Sequence, residues 1–259
     1  MTATDANVEP KIRPIVAFFD VDNTLLRGAG IYHIGRAAWK RGYIRFRDVV
    51  RFAWHQARFL AVGENKKQIL RIKEKALTLA EGHPADELRR LAEDIYEHEI
   101  RSRLWPETVG LTKEHLDKGH QVWLITAGPV DIAAVIAGKL GLTGALGSVL
   151  GVSDGKLTGE LDGPILHGEL KGVAAKELAL RLGADLAECW AYSDSRNDIP
   201  LLELVGNRVV VNPDAVLSRH ARQHGWPIMK LDPASIRAAR RRVRRDAAVP
   251  RRNSKRQTR

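Results

Sequence analysis

Residues 15–19 are Ile15, Val16, Ala17, Phe18 and Phe19, five apolar side chains in a row, and they run into Asp20-Val21-Asp22-Asn23-Thr24. A continuous apolar run this short predicts a strand buried on both faces, as parallel sheets require. A second run, Gln121-Val122-Trp123-Leu124-Ile125, predicts another strand, which ends in Thr126-Ala127-Gly128-Pro129, a hydroxyl and flexible backbone N–H groups at a helix start carrying Pro and then Asp131. Helical spacing covers 173–182, opened by Glu169-Leu170-Lys171-Gly172, and Cys189-Trp190-Ala191-Tyr192 predicts a short strand ending in Ser193-Asp194-Ser195-Arg196-Asn197-Asp198. Strands at 208–211 and 227–231, with a helix between them, continue the alternation. Asp154-Gly155 between Val149-Leu150 and Leu157-Thr158 predicts a hairpin. Alternating strands and helices of this kind build an α/β fold around a mostly parallel sheet.

Between the first two strands the texture changes. Phe46, Val49, Val50, Ala53, Ala57 and Leu60 recur at helical spacing while Arg47, Arg51, His55 and Arg58 fall elsewhere on the wheel, which predicts an amphipathic helix with a basic face. Further helical patterns cover 65–80 and 84–100, the latter with Pro84 at its start. The organisation expected is an α/β core of 1–26 and 106–235, a small helical insert at 27–105, and a disordered basic tail at 236–259.

Charge sharpens that division. The 259 residues carry a formal net charge of +11, of which 236–259 supplies +10 and 27–105 supplies +7, leaving −6 for the remainder. An acidic body suited to a cation therefore bears a basic insert and a basic tail. The tail leaves an anionic membrane surface and nucleic acid open as partners. Cys189 is the single cysteine, so no intrachain disulfide forms, and a reducing, cytoplasmic setting is expected, peripheral to a membrane if the tail binds one. An apolar strand around Cys189 predicts a buried, inert thiol. The first ten residues are polar and acidic, unlike a secretory signal, and the longest apolar stretch, 130–152, is broken by Asp131, Lys139 and several glycines, unlike a membrane span. The nine histidines show no metal-ligand spacing.

The chemistry-bearing groups all follow a strand or open a helix. In open α/β sheets ligands bind beyond the carboxyl ends of the strands, and residues two apart on an extended segment point the same way, so Asp20 and Asp22 face one crevice. Like charges there call for a cation or a shared proton. Thr126 and the amides after it, at a helix start, suit a phosphate. An Asp-x-Asp pair also opens calcium loops, but the glycine and glutamate such a loop needs are here Leu25 and Ile31.

Taken together, Asp20-x-Asp22-x-Thr24, Thr126 after a strand, Lys171, and the pair Asp194 and Asp198 resemble the haloacid dehalogenase superfamily of phosphohydrolases over about 15–232. The resemblance implies a three-layer Rossmann-like parallel sheet with a small helical cap inserted after the first strand. It implies a phosphomonoester substrate and hydrolysis through an aspartyl-phosphate, with Asp20 as nucleophile and Asp22 as general acid and base. Mg2+ would be held by Asp20, Asp22 (through its carbonyl) and Asp194. Phosphate would be held by Thr126, Ala127, Lys171 and Asn197, with Asp198 supporting Lys171 from behind. The cap position and the Asp-x-Asp-Asn-Thr-Leu-Leu opening look most like the phosphoserine phosphatase-like branch, subfamily IB. That branch places a glutamate nine residues after the nucleophile, where this chain has Ala29, and no Asp or Glu lies in 23–47. A small phosphorylated metabolite or a lysophospholipid phosphate is the expected substrate. Phosphoserine, phosphoryl transfer to an alcohol, and a membrane- or RNA-docking protein with a secondary phosphatase site are the alternatives.

Overall fold

The computed structural model describes residues 13–30 and 81–248. The expected helices at 46–60 and 65–80, and the tail beyond 248, lie outside the described residues. Strand β1 (Val16–Asp20) has no exposed position, because its side chains feed two separate cores. Ala17 and Phe19 join Val122, Leu124, Ile132 and Ile136 on one face, while Val16 and Phe18 join Ala175, Leu178, Leu201, Val210 and Leu217 on the other. The period of two in a strand is what sends alternate residues to opposite layers.

In chain order the other elements are α1 (Ala85–Ile95), α2 (Pro106–Asp117), β2 (Gln121–Pro129), α3 (Val130–Leu140) and β3 (Gly144–Ser148). A hairpin follows, β4 (Leu150–Ser153) and β5 (Lys156–Leu161), then α4 (Glu169–Leu182), β6 (Trp190–Ser193), α5 (Ile199–Leu204), β7 (Asn207–Val211), α6 (Ala215–Gln223), β8 (Ile228–Met229) and α7 (Pro233–Ala248). Six strands form a parallel sheet in the order β3-β2-β1-β6-β7-β8. Helices α1 and α3 supply the first apolar layer; α4, α5 and α6 supply the second. This is the three-layer α/β architecture expected from the sequence. The hairpin turns at Asp154 and Gly155, both at positive φ (51° and 73°), the backbone that a two-residue hairpin turn requires.

Three details depart from the sequence reading. The strand expected to end after Ile125 runs on: β2 continues through 126–129 across a register shift and pairs Pro129 with Ser148. The helix expected at 84–100 is α-helical only to Ile95, then passes through a π turn at Tyr96–Ile100 and a 3-10 turn at Arg101–Arg103. Ile95, Tyr96 and Ile100 belong to the same apolar cluster as β1 and β2, so this stretch packs on the core. The basic segment 236–248 is helical, in α7, and not disordered. Ile236 is buried, the Ser235 hydroxyl donates to the Glu107 carboxylate at 3.1 Å, and Arg240 donates to the Ser102 carbonyl. Alanine and arginine are among the strongest helix formers, which is why so charged a segment still winds once its first turn is anchored. Among the described residues no helix is long and apolar enough to cross a membrane.

Candidate active site

Sheet register assembles the site. Asp20 pairs with Ile125 on β2, and Phe19 pairs with Tyr192 on β6. Thr126, the next residue along β2, and Asp194, the first residue after β6, therefore stand beside Asp20 at the carboxyl edge of adjacent strands. Asp20, the last residue of β1, is 5% exposed. Across this edge comes Lys171, in the first turn of α4 and 4% exposed. Its Nζ donates to Asp20 Oδ1 at 2.6 Å and to Asp198 Oδ2 at 2.7 Å. An ammonium has three donors, so one N–H remains for a ligand in the crevice.

Burial dominates the electrostatics. It pushes the Asp20 carboxyl well above the usual carboxylate range; Lys171 opposes the rise, while Asp198, Asp194 and Asp22 add to it. Asp194 is pushed up to about 7, by burial first and by Asp198, against a hydrogen bond from Asn23 and the attraction of Lys171. Burial would lower the Lys171 ammonium, but Asp20 and Asp198 together overcome it and hold the proton more firmly than usual. Four carboxyl groups around one ammonium leave an unmet demand for positive charge. Every donor facing that demand is oxygen, which suits a small hard cation such as Mg2+. Among the described residues, no group of three or more His, Cys, Asp or Glu gathers as a ready-made cage. Two carboxylates plus backbone carbonyl and water are what the edge offers, and Mg2+ keeps several waters in such sites.

The remaining expected residues line the same edge. The Thr126 hydroxyl accepts the Gly128 N–H at 3.0 Å, which leaves its own proton to donate. The Ala127 carbonyl accepts the Ser148 hydroxyl at 3.0 Å, tying this loop to β3. Close approach is enforced at Gly147, where a Cβ would stand 2.8 Å from the Val130 Cα. Asn197, in a 3-10 turn at Arg196–Asp198, donates its amide to the Ser195 hydroxyl at 3.2 Å, and Asp198 is 1% exposed. Asp22 is half-buried, and its Oδ1 accepts the Gly30 N–H at 2.7 Å. Thus Asp22, two residues after Asp20, is held by the backbone at the root of the insert.

Three contributors were not singled out in the sequence. Asn23 has φ 56°, a left-handed conformation that asparagine tolerates, and its Oδ1 accepts the Gly28 N–H at 3.1 Å. Gly30 holds Asp22. Ser193, fully buried, donates to Asp198 Oδ2 at 2.7 Å. The asparagine after an Asp-x-Asp was a readable turn signal; the other two depend on contacts that only the fold brings about. Cys189 is buried just before β6, and burial pushes its thiol up, as suits an inert residue.

The family model for haloacid dehalogenase-like hydrolases matches residues 17–203. A Mycobacterium tuberculosis protein named phosphoserine phosphatase SerB1 is 50% identical over 213 residues, 82% of this chain and 69% of its own length. A solved structure of a protein of unknown function from Bordetella pertussis Tohama I superposes with a TM-score of 0.73 at 27% identity, covering 84% of this chain and 98% of that one. A phospho-aspartyl intermediate analogue of phosphoserine phosphatase superposes with a TM-score of 0.59 over 88% of this chain and 99% of that one; at 24% identity it shows the shared fold alone.

Proposed function

Because the chain belongs to the haloacid dehalogenase-like hydrolases, we propose that it is a Mg2+-dependent phosphomonoesterase in which Asp20 is the nucleophile and Asp22 the general acid and base. The observation that carries this reading is the buried bridge from Lys171 to both Asp20 and Asp198, at 2.6 and 2.7 Å, on the carboxyl edge of the sheet. A lysine so placed orients one carboxylate oxygen and offers its third N–H to a phosphoryl oxygen.

In the first step an Asp20 carboxylate oxygen bonds to phosphorus as the bond from phosphorus to the leaving oxygen breaks, and Asp22 gives that oxygen its proton. In the second, Asp22 takes a proton from water, which attacks the acyl phosphate, releasing phosphate and restoring Asp20. Thr126 and the Ala127 amide receive the phosphoryl oxygens with Lys171, and Asn197 borders them. Asp20, Asp194 and the Asp22 carbonyl would hold Mg2+. When bound, that ion supplies positive charge to the phosphoryl oxygens and screens the carboxylates from one another.

For the substrate, two observations compete. The relative at 50% identity is named for phosphoserine. Against it, Ala29 occupies the position where the phosphoserine phosphatase-like branch carries the glutamate that meets the substrate ammonium, and the neighbouring Arg27 is cationic. We favour a phosphomonoester whose remainder is anionic or apolar. The test is p-nitrophenyl phosphate hydrolysis with Mg2+, with excess chelator, and with Asp20→Asn. Turnover that survives either the chelator or the substitution would sink the mechanism.

A further inference from the structure

Asp198 does not hold Lys171 alone. The oxygen that accepts the ammonium at 2.7 Å, Oδ2, also accepts the Ser193 hydroxyl at 2.7 Å. Ser193 has no exposed surface and sits on β6, where it pairs with Val210 in the sheet. Its oxygen accepts the Ser195 N–H at 3.2 Å, so a lone pair is engaged and the single hydroxyl proton is directed at Asp198. We infer that Ser193 is a positioning residue: its hydroxyl fixes the Asp198 carboxylate and, through it, the direction of the Lys171 ammonium. The inference rests on the phosphomonoesterase reading and deepens it.

With one donor, a carboxylate turns about its Cβ–Cγ bond and takes a flexible lysine with it. Two donors on one oxygen, one from a central strand and one from α4, remove that freedom. Because the ammonium already spends two N–H groups on Asp20 and Asp198, any turn of Asp198 re-aims the third. Misplacement by about 1 Å costs on the order of 100-fold in a reaction that depends on alignment. The same hydroxyl closes the segment from Ser193 to Asp198 at both ends, and the Asp198 N–H returns to the Ser195 carbonyl at 3.0 Å. Asp194 and Asn197 lie inside that closed turn.

The test compares wild type, Ser193→Ala, Ser193→Thr, Asp198→Asn and Ser193→Ala/Asp198→Asn, all as full chains, with p-nitrophenyl phosphate and Mg2+. Ser193→Ala is expected to lower kcat by roughly 10- to 100-fold with a smaller change in KM, and to weaken inhibition by orthovanadate by about tenfold. Ser193→Thr, which restores the hydroxyl, should recover most of both. In the Asp198→Asn background Ser193→Ala should cost less than about threefold, since the two act as one unit. A Ser193→Ala enzyme within about twofold of wild type, failure of threonine to restore activity, or additive losses in the double variant would each overturn the inference. Any of these leaves the parent reading standing while wild type turns over and Asp20→Asn does not. A wild type without activity would overturn both.

Discussion

Replacing Lys171 by methionine removes the ammonium that bridges the buried Asp20 and Asp198 carboxylates while keeping the length of the side chain. The energetic consequence follows from the bridge to Asp20 and Asp198, whose lysine and carboxylate side chains are almost wholly buried. Breaking a buried ion pair from one side costs about 3–5 kcal/mol, because the charge left behind is uncompensated. Protonation limits the damage: the Asp20 carboxyl already sits well above its usual range through burial, and loss of Lys171 raises it further. At about 2–4 °C per kcal/mol for a chain of this size, Lys171→Met should melt roughly 10 °C below wild type at pH 7.5 in chelator. The sign of the pH dependence is the sharper test. With its native pKa above the unfolded one, Asp20 binds more protons folded than unfolded over that window, so stability falls as pH rises through it. Acidifying from pH 7.5 to 5.5 should therefore narrow the gap between variant and wild type, as the Asp20 carboxyl left without Lys171 takes up its proton more readily. The assay is thermal unfolding followed by circular dichroism, variant minus wild type, which cancels other titrations. A variant melting within 2 °C of wild type, or a difference that does not shrink on acidification, would refute the reasoning.

Asp20→Asn should abolish turnover with its circular dichroism spectrum retained, since an amide of nearly the same size is a poor nucleophile; rapid quench of wild type should put phosphate on Asp20, and label elsewhere would reassign the nucleophile. His115 is pushed down to about 4 by burial first, then by His120 and Lys118, and its Nε2 lies 2.8 Å from the Tyr192 hydroxyl. The unfolded chain binds that proton below about pH 6.5 and the native one does not, so up to about 3 kcal/mol of stability should be lost between pH 6.5 and 4. His115→Gln should flatten that slope in melts taken across the range. For the substrate, kcat/KM for phosphoserine, a sugar phosphate and lysophosphatidate should rank phosphoserine last, and a strong preference for phosphoserine would show that its ammonium finds a partner despite Ala29.

The sheet and the residues on its edge were legible because one physical rule governs both. Runs such as 15–19 and 189–192 are apolar throughout only if both faces are covered, and the polar residue that ends such a run marks the edge where ligands bind. Lys171 was legible for the related reason that it opens a helix after a loop. What escaped notice has no local signature. Ser193 reads as a small polar residue at the end of a strand, and nothing within its neighbourhood of sequence announces a contact with Asp198 that also involves a lysine on another element. Residues 126–129 read as the end of the strand and a helix start because glycine and proline punctuate chains, yet pairing of Pro129 with Ser148 from β3 keeps the stretch in the sheet. Segment 236–248 read as a tail because charge dominates its composition. Among the described residues, buried Ile236 and hydrogen bonds from Ser235 and Arg240 to neighbouring elements help to seat it, contacts that do not register in composition.

The order of the strands has a consequence for how the protein is made. β1 emerges first from the ribosome, yet it lies at the middle of the sheet, between β2 and β6. Asp20 is separated from Lys171 by 151 residues. At roughly 5–20 residues per second, synthesis leaves that carboxylate without its counter-charge for about 8–30 s. Throughout that interval, the five apolar residues of the run at 15–19 have no finished sheet to enter, and their closing partners are distant in the chain, the arrangement that slows folding and exposes strands to wrong pairings. The acidic groups that follow them keep the nascent segment hydrated at its end until β6 arrives. Asp20 and Asp22, proposed for the chemistry, would thus double as guards of an unfinished strand.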